Sequence, residues 1–251
     1  MKKLFIVANW KSNKTIKDTE KWLHDFDEEL KRKQFSFESK EIIIAPSFTL
    51  LEHANYCSSN LKLPIKFGTQ DISSFEEGAY TGEVNGRQIK ELASYVIIGH
   101  SERRKNFGEN DEMVNKKLDQ ALGFKLSPIL CISKLDQVQS SKLKVKSYPF
   151  DKLRIPSMSR DSSKFKINNI NLLIAYEPLS AIGSGHPDTP ENADTIALKI
   201  KKELGEIPVL YGGSVTSGNV RSFTSMPHIH GVLVGGASLD PLEFLKIIQN
   251  A

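Results

Sequence analysis

The chain has 251 residues, 34 of them Lys or Arg and 30 Asp or Glu, for a formal net charge of +4. Apolar residues make up 39% and charged residues 25%, the proportions of a folded globular protein, which excludes disordered, collagen-like and low-complexity classes. No apolar run approaches the roughly 20 residues that span a bilayer, and Lys and Glu are too evenly mixed to form a nucleic-acid-binding stripe.

At the N-terminus two lysines precede an apolar run of only Leu4 to Ala8. A secretory leader needs a longer one, so none is expected. Two cysteines, Cys57 and Cys131, make no disulfide framework, and a cytoplasmic protein is expected. In chain order, short apolar, β-branched runs then recur at Leu4–Ala8, Glu41–Ala45, Lys66–Gln70, Tyr95–Ile98, Ser127–Cys131, Leu172–Tyr176, Val209–Tyr211 and Gly231–Val234. They follow one another at about 32 residues, near the length of a βαβ unit. Most are apolar throughout, as strands covered on both faces are.

Helical signals fill several gaps. Trp22, Leu23, Phe26 and Leu30 form a stripe between the first two strands. Asn110 is placed to cap a segment with Val114, Leu118 and Ala121 inward, and Thr189-Pro190 opens one with Ala193, Ile196, Ile200 and Leu204. Asp240-Pro241 repeats that device, with Glu243 in the first turn. Eight β-then-α steps without a long linker predict one closed (β/α)8 barrel domain over residues 1–251. The stretch 134–169 fits poorly: it holds Pro149, Pro156 and many Ser and Lys without a helical stripe, and reads as an irregular segment in place of a barrel helix.

Barrel active sites lie where the strands end. There the apolar runs give way to Asn9-Trp10-Lys11, Gly99-His100-Ser101-Glu102, Tyr176-Glu177-Pro178, Tyr211-Gly212-Gly213-Ser214 and Gly235-Gly236-Ala237-Ser238. A cation, a histidine, a carboxylate and glycine-rich turns on one rim suit proton transfer on a small phosphorylated molecule. Each residue alone has a plainer reading: Glu177 as a helix cap, His100 as a core histidine, Lys11 as a solvated lysine, Asn9 as a turn residue, paired glycines as turns. His228 and His230 show no third metal ligand at suitable spacing.

Taken together, ANWKSN, IIGHSERRKNFGE, AYEPLSAIGSG, YGGSV and LVGGASL resemble the signature segments of the triosephosphate isomerase family, in order from residue 8 to residue 239. The resemblance implies a TIM barrel, cytoplasmic, acting in glycolysis and gluconeogenesis. It would interconvert dihydroxyacetone phosphate and glyceraldehyde 3-phosphate with no metal or organic cofactor. Residue by residue it implies Glu177 as the base, made stronger by desolvation under a lid, and neutral His100 as the electrophile, roles that are the family's own. It implies Lys11 as the cation, Asn9 as a donor to the reacting oxygens and Glu102 as a carboxylate beside Lys11. Gly183, Ser214, Gly235 and Gly236 would hold the phosphate. Residues 178–187 match the lid, with Ala181-Ile182-Gly183 as its tip; Ser214 and Tyr211 would latch it near Gly185 and Asp188. Gly78 to Glu83 resembles the loop that inserts into a neighbouring subunit, which implies a homodimer with Thr81 reaching the partner's site. No nucleic-acid or membrane partner is implied.

Three departures stand out. Ile132-Ser133-Lys134 replaces the family's Ile-Gly-Glu, Ser180 stands where the lid carries Trp, and Gly185-His186-Pro187 replaces Gly-Lys-Thr. The lost Glu and Trp support each other in the family, so the two changes form a pair. Proline fixes φ, and altered lid kinetics with intact chemistry are expected.

Overall fold

Eight short parallel strands close into a barrel in sequence order, β1 to β8. The computed structural model describes residues 2–33, 37–139, 172–179, 181 and 186–251. The strands are β1 Leu4–Asn9, β2 Lys40–Ala45, β3 Lys66–Thr69, β4 Tyr95–Ile98, β5 Ser127–Ile132, β6 Leu173–Tyr176, β7 Val209–Tyr211 and β8 Ile229–Val234. Helices α1 Ile16–Lys33, α2 Phe48–Leu61, α3 Gly86–Leu92, α4 Ser101–Phe107, α5 Asp111–Gly123, α6 Asp136–Gln139, α7 Pro190–Leu204, α8 Val220–Thr224 and α9 Pro241–Asn250 connect and follow them. The predicted irregular segment lies mostly outside the described residues; the single turn α6 occupies its start.

Alternation along each strand sorts side chains into two layers. Phe5, Val7, Ile43, Ala45, Tyr95, Ile97, Ile129, Cys131, Leu173, Ala175, Leu210 and Leu233 form one buried cluster, the filling of the barrel. The residues between them, such as Ile6, Ala8, Ile42, Ile44, Val96 and Ile98, pack outward with the helices. Continuing the inward series by two residues leads from Val7 to Asn9 and from Ala175 to Glu177. The backbone ladder extends that far, because Glu177 N–H donates to Ile132 O at 2.8 Å.

The helix starts form as their sequences dictate. The Asn110 side chain accepts from Met113 N–H, Thr189 from Asn192 N–H, and Asp240 from Leu242 and Glu243 N–H. Trp22 stacks on Phe26 with ring centroids 5.0 Å apart and meets Trp10 edge-on at 5.1 Å, binding α1 to the end of β1.

Five strands differ from their expected runs by one residue at an end, and β8 differs by two. Strand β8 begins at Ile229, and Gly231 lies inside it. A Cβ on Gly231 would fall 1.9 Å from the Phe5 carbonyl oxygen, and its φ is +137°. The glycine marks a close approach of β8 to β1, where the sequence suggested a boundary.

Candidate active site

Glu177 is 1% exposed and His100 7%. Nε2 of His100 lies 3.1 Å from Oε1 of Glu177. The other carboxylate oxygen accepts the N–H of Ser101 at 3.0 Å, and the Cys131 thiol hydrogen-bonds the same carboxylate. A buried carboxylate is tolerable only with such donors. Cys131 is wholly buried, and burial, then Glu177, pushes its thiol well up, so it stays a donor.

His100 caps α4, and its Nδ1 accepts the N–H of Glu102 at 3.2 Å. A nitrogen that accepts carries no proton, so the ring is neutral, with its hydrogen on Nε2 facing Glu177. The loop before His100 is pinned from both sides. Gly99 has φ +73°; its N–H donates to Glu109 Oε1 at 3.1 Å and its carbonyl accepts from Arg104 Nε at 2.9 Å. Burial alone would raise the Glu109 carboxyl, but Lys117 and Arg103 hold it below its ordinary value. Lys117 Nζ lies 2.9 Å from Glu109 Oε2 and Arg103 Nε 2.7 Å.

Lys11 approaches from β1. Its ammonium is 2.5 Å from Glu102 Oε1. Its backbone is left-handed, with φ +52°, unusual for a residue with a side chain. Two bonds hold that conformation: Lys11 N–H donates to Asn9 Oδ1 at 3.0 Å, and the Gln70 amide donates to Lys11 O at 2.9 Å. The same Gln70 nitrogen also donates to Ala45 O at 2.9 Å. Such strain persists only where surrounding contacts enforce it, and it collects at working sites.

Gly235 stands beside the Lys11 side chain: a Cβ there would lie 3.4 Å from Lys11 Cε and 3.6 Å from Nζ. Gly236 opens a 3-10 turn, Gly236–Leu239, and a Cβ on it would meet nothing within 4 Å. An ammonium, a helical N-terminus and open space beside bare backbone suit a phosphate dianion. The two glycines of strand β7's turn serve another end. A Cβ on Gly212 would lie 2.9 Å from Glu177 Cγ, and one on Gly213 would lie 2.1 Å from the Tyr211 hydroxyl oxygen. They make room for the carboxylate and for Tyr211.

Ser214 reaches the segment expected to be a lid, and Tyr211 reaches the residue just after it. The Asp188 N–H donates to the Tyr211 hydroxyl at 2.8 Å. The Ser214 hydroxyl donates to Ala181 O at 2.8 Å. Burial pushes the Tyr211 hydroxyl up to about 12, with Asp188 N–H acting against it. Gly183, Ser180 and Gly185 lie outside the described residues. Lys134 is exposed, and its N–H and that of Ser133 donate to Gln137 Oε1 at 3.0 and 2.6 Å.

Thus Asn9, Lys11, His100, Glu102, Glu177, Ser214, Gly235 and Gly236 stand where the strands of the barrel end. Sequence reasoning missed Gln70, Gly212, Glu109 and Arg104 as supports. Gly212, Glu109 and Arg104 lay inside quoted motifs and Gln70 did not, and none of the four announces its supporting role by residue type alone. His228 pairs with Asp194 through Nδ1 at 2.8 Å, and His230 Nδ1 lies 3.0 Å from the His228 carbonyl. Among the described residues no helix is long and apolar enough to cross a membrane.

The family model described as Triosephosphate isomerase matches residues 4–251. A triosephosphate isomerase of Dictyoglomus turgidum is 39% identical over 260 residues, covering 100% of both chains. Those of Mesomycoplasma hyopneumoniae strain 7448 and Aquifex aeolicus are each 38% identical, covering 100% and 98% of both chains respectively. With a family match over nearly its whole length and relatives of that similarity aligned end to end, the chain belongs to the triosephosphate isomerase family.

Proposed function

We propose that Glu177 and His100 carry the proton transfers by which this chain interconverts dihydroxyacetone phosphate and glyceraldehyde 3-phosphate. The observation behind this reading is the buried pair itself: a carboxylate and a neutral imidazole 3.1 Å apart, beside a lysine and bare glycine backbone. Glu177 takes a proton from C1 of dihydroxyacetone phosphate. The freed electron pair forms the C1–C2 double bond, and O2 gains the charge. His100 Nε2–H donates to O2, and the ring then recovers a proton from O1 as that oxygen becomes the aldehyde. Glu177 returns its proton to C2.

The other residues stabilise charge. Lys11 faces the enediolate and the phosphate, Glu102 orients it, and Asn9 donates to the reacting oxygens. Backbone at Gly183, Ser214, Gly235 and Gly236 holds the phosphate. Removing one such preorganised donor typically costs about 2.7–4 kcal/mol of barrier stabilisation. No metal or organic cofactor enters this scheme. His100 has one N–H to offer at Nε2, so substrate must replace Glu177 as its partner, and Glu177 must move away from His100 to work.

The unit is read as one domain over residues 1–251, and as a cytoplasmic homodimer without nucleic-acid or membrane partners. The projecting loop Gly78 to Glu83 supports the dimer. Its Tyr80 stacks on Phe75 at 4.2 Å, and both rings are 43% exposed. The two free cysteines support the cytoplasmic reading.

A coupled assay of glyceraldehyde 3-phosphate conversion tests the assignment of the base. Glu177→Asp, which withdraws the carboxylate by about one methylene, should lose on the order of 10²-fold in kcat. A Glu177→Asp enzyme as fast as wild type would refute it.

A further inference from the structure

Outside the active site, Glu20 on α1 and His53 and Cys57 on α2 bring three metal-ligating atoms within 4.8 Å of one another, the one such group among the described residues. His53 and Cys57 are four apart on one helix and therefore share a face. Nε2 of His53 lies 2.8 Å from Glu20 Oε1 and 3.5 Å from Cys57 Sγ. One imidazole nitrogen thus faces both a carboxylate and a thiol across the seam between two helices. None of the three is assigned to the isomerase reaction.

We propose that Glu20, His53 and Cys57 form a binding site for a zinc-class divalent cation, with water as the fourth ligand. Tetrahedral zinc with bonds of about 2.0–2.3 Å sets its nitrogen and sulfur ligands about 3.6 Å apart, which is the spacing already present. The nitrogen and oxygen ligands must separate to about 3.3 Å. Glu20, with its side chain 47% exposed, is free to give that half ångström, and His53 at 30% leaves a path for entry. A mixed sulfur, nitrogen and oxygen set suits zinc and disfavours magnesium or calcium, which take oxygen.

On binding, the Sγ–H bond of Cys57 breaks, its proton goes to solvent and a sulfur–metal bond forms. His53 binds through Nε2 and keeps its ring proton on Nδ1. In the metal-free protein burial, and then Glu20, raise the thiol's pKa, so the cation itself has to draw the proton off. The bound ion would join α1 to α2. Helix α1 follows directly on the strained loop that carries Lys11, so the ion would brace the element behind that loop.

The full-length protein, freed of metal by chelation, is titrated with Zn2+ by calorimetry in buffers of different ionisation enthalpy. It is titrated separately with Co2+, whose thiolate charge-transfer band reports the sulfur. Saturable binding of a single Zn2+ per chain with release of a proton is expected, and a thiolate band with Co2+. Affinity should fall at least about tenfold in Cys57→Ser and in His53→Ala, with kcat unchanged and the cobalt band gone from Cys57→Ser. Glu20→Gln, at a half-exposed position that cannot threaten the fold, should also weaken binding. Absence of saturable binding, or binding unmoved by all three substitutions, would overturn the proposal. The wild-type isomerase assay is read separately, so failure here leaves the catalytic reading intact.

Discussion

The Cγ of Glu177 occupies the space that a side chain on Gly212 would fill: an ideal Cβ there lies 2.9 Å away. Glu177 belongs to the end of β6 and Gly212 to the end of β7, and Gly212 N–H donates to Tyr176 O at 2.8 Å, which fixes their relative position. Gly212→Ala must therefore displace the carboxylate. A misplacement of about 1 Å can cost 10²-fold in rate. The variant is expected to keep its fold by circular dichroism and to lose between about 10-fold and 10²-fold in kcat. Wild-type kcat would show that the carboxylate does not depend on that gap.

Gln70 acts on Lys11 through the backbone. Its amide nitrogen bridges Lys11 O and Ala45 O, both at 2.9 Å, and so holds the left-handed Lys11 in place. Gln70→Ala should let that residue relax. Because Lys11 is assigned to phosphate as well as enediolate, KM is expected to rise and kcat to fall, by about tenfold in kcat/KM. A Lys11→Gly enzyme would lose the ammonium itself and should be worse. A Gln70→Ala enzyme with unchanged KM would remove Gln70 from the list of positioning residues.

The opposite rim of the barrel carries a stability prediction. Glu41 accepts from Lys66 at 2.8 Å, and Lys3 and Tyr95 contact the same carboxylate, whose side chain is 10% exposed. Burial would raise its pKa, but those three donors outweigh it and lower it to about 2. A depressed folded-state pKa adds stability above the unfolded value near 4.5, and that stability fades as pH falls towards 2. Its size at neutral pH is about 2–3 kcal/mol. Urea unfolding of wild type and Glu41→Gln should therefore show a gap that is constant from pH 7 to about pH 5 and narrows steadily below about pH 4.5. A gap that stays constant down to pH 3 would contradict the charge network.

Much of this was legible in the sequence because strand alternation and helix caps are local. Val7 and Ala175 point into the barrel, so two residues on, Asn9 and Glu177 had to reach the rim. Asn110, Thr189 and Asp240 announced their helices by residue type and position. The supports were not legible. Gln70 works through the backbone carbonyls of Ala45 at the end of β2 and of Lys11 just past β1, and an amide gives no motif. Gly212 and Gly213 read only as one of the glycine-rich turns on the rim, yet their missing side chains leave room for Glu177 and Tyr211. The Glu20, His53 and Cys57 group was hidden for a similar reason. Only the spacing of His53 and Cys57 shows along the chain, and Glu20 joins them through the packing of α1 on α2.

The assignment of Glu177 as the group that removes the C1 proton is most directly tested by hydrogen exchange. Dihydroxyacetone phosphate is incubated in D2O with wild type or Glu177→Gln, and loss of the C1 proton signal is followed by NMR. Wild type should wash deuterium into C1 at a rate comparable with turnover, and Glu177→Gln should be slower by about 10²–10⁴-fold with its fold unchanged. Exchange by Glu177→Gln at the wild-type rate would mean that another group takes the proton, and the account of this site would be wrong.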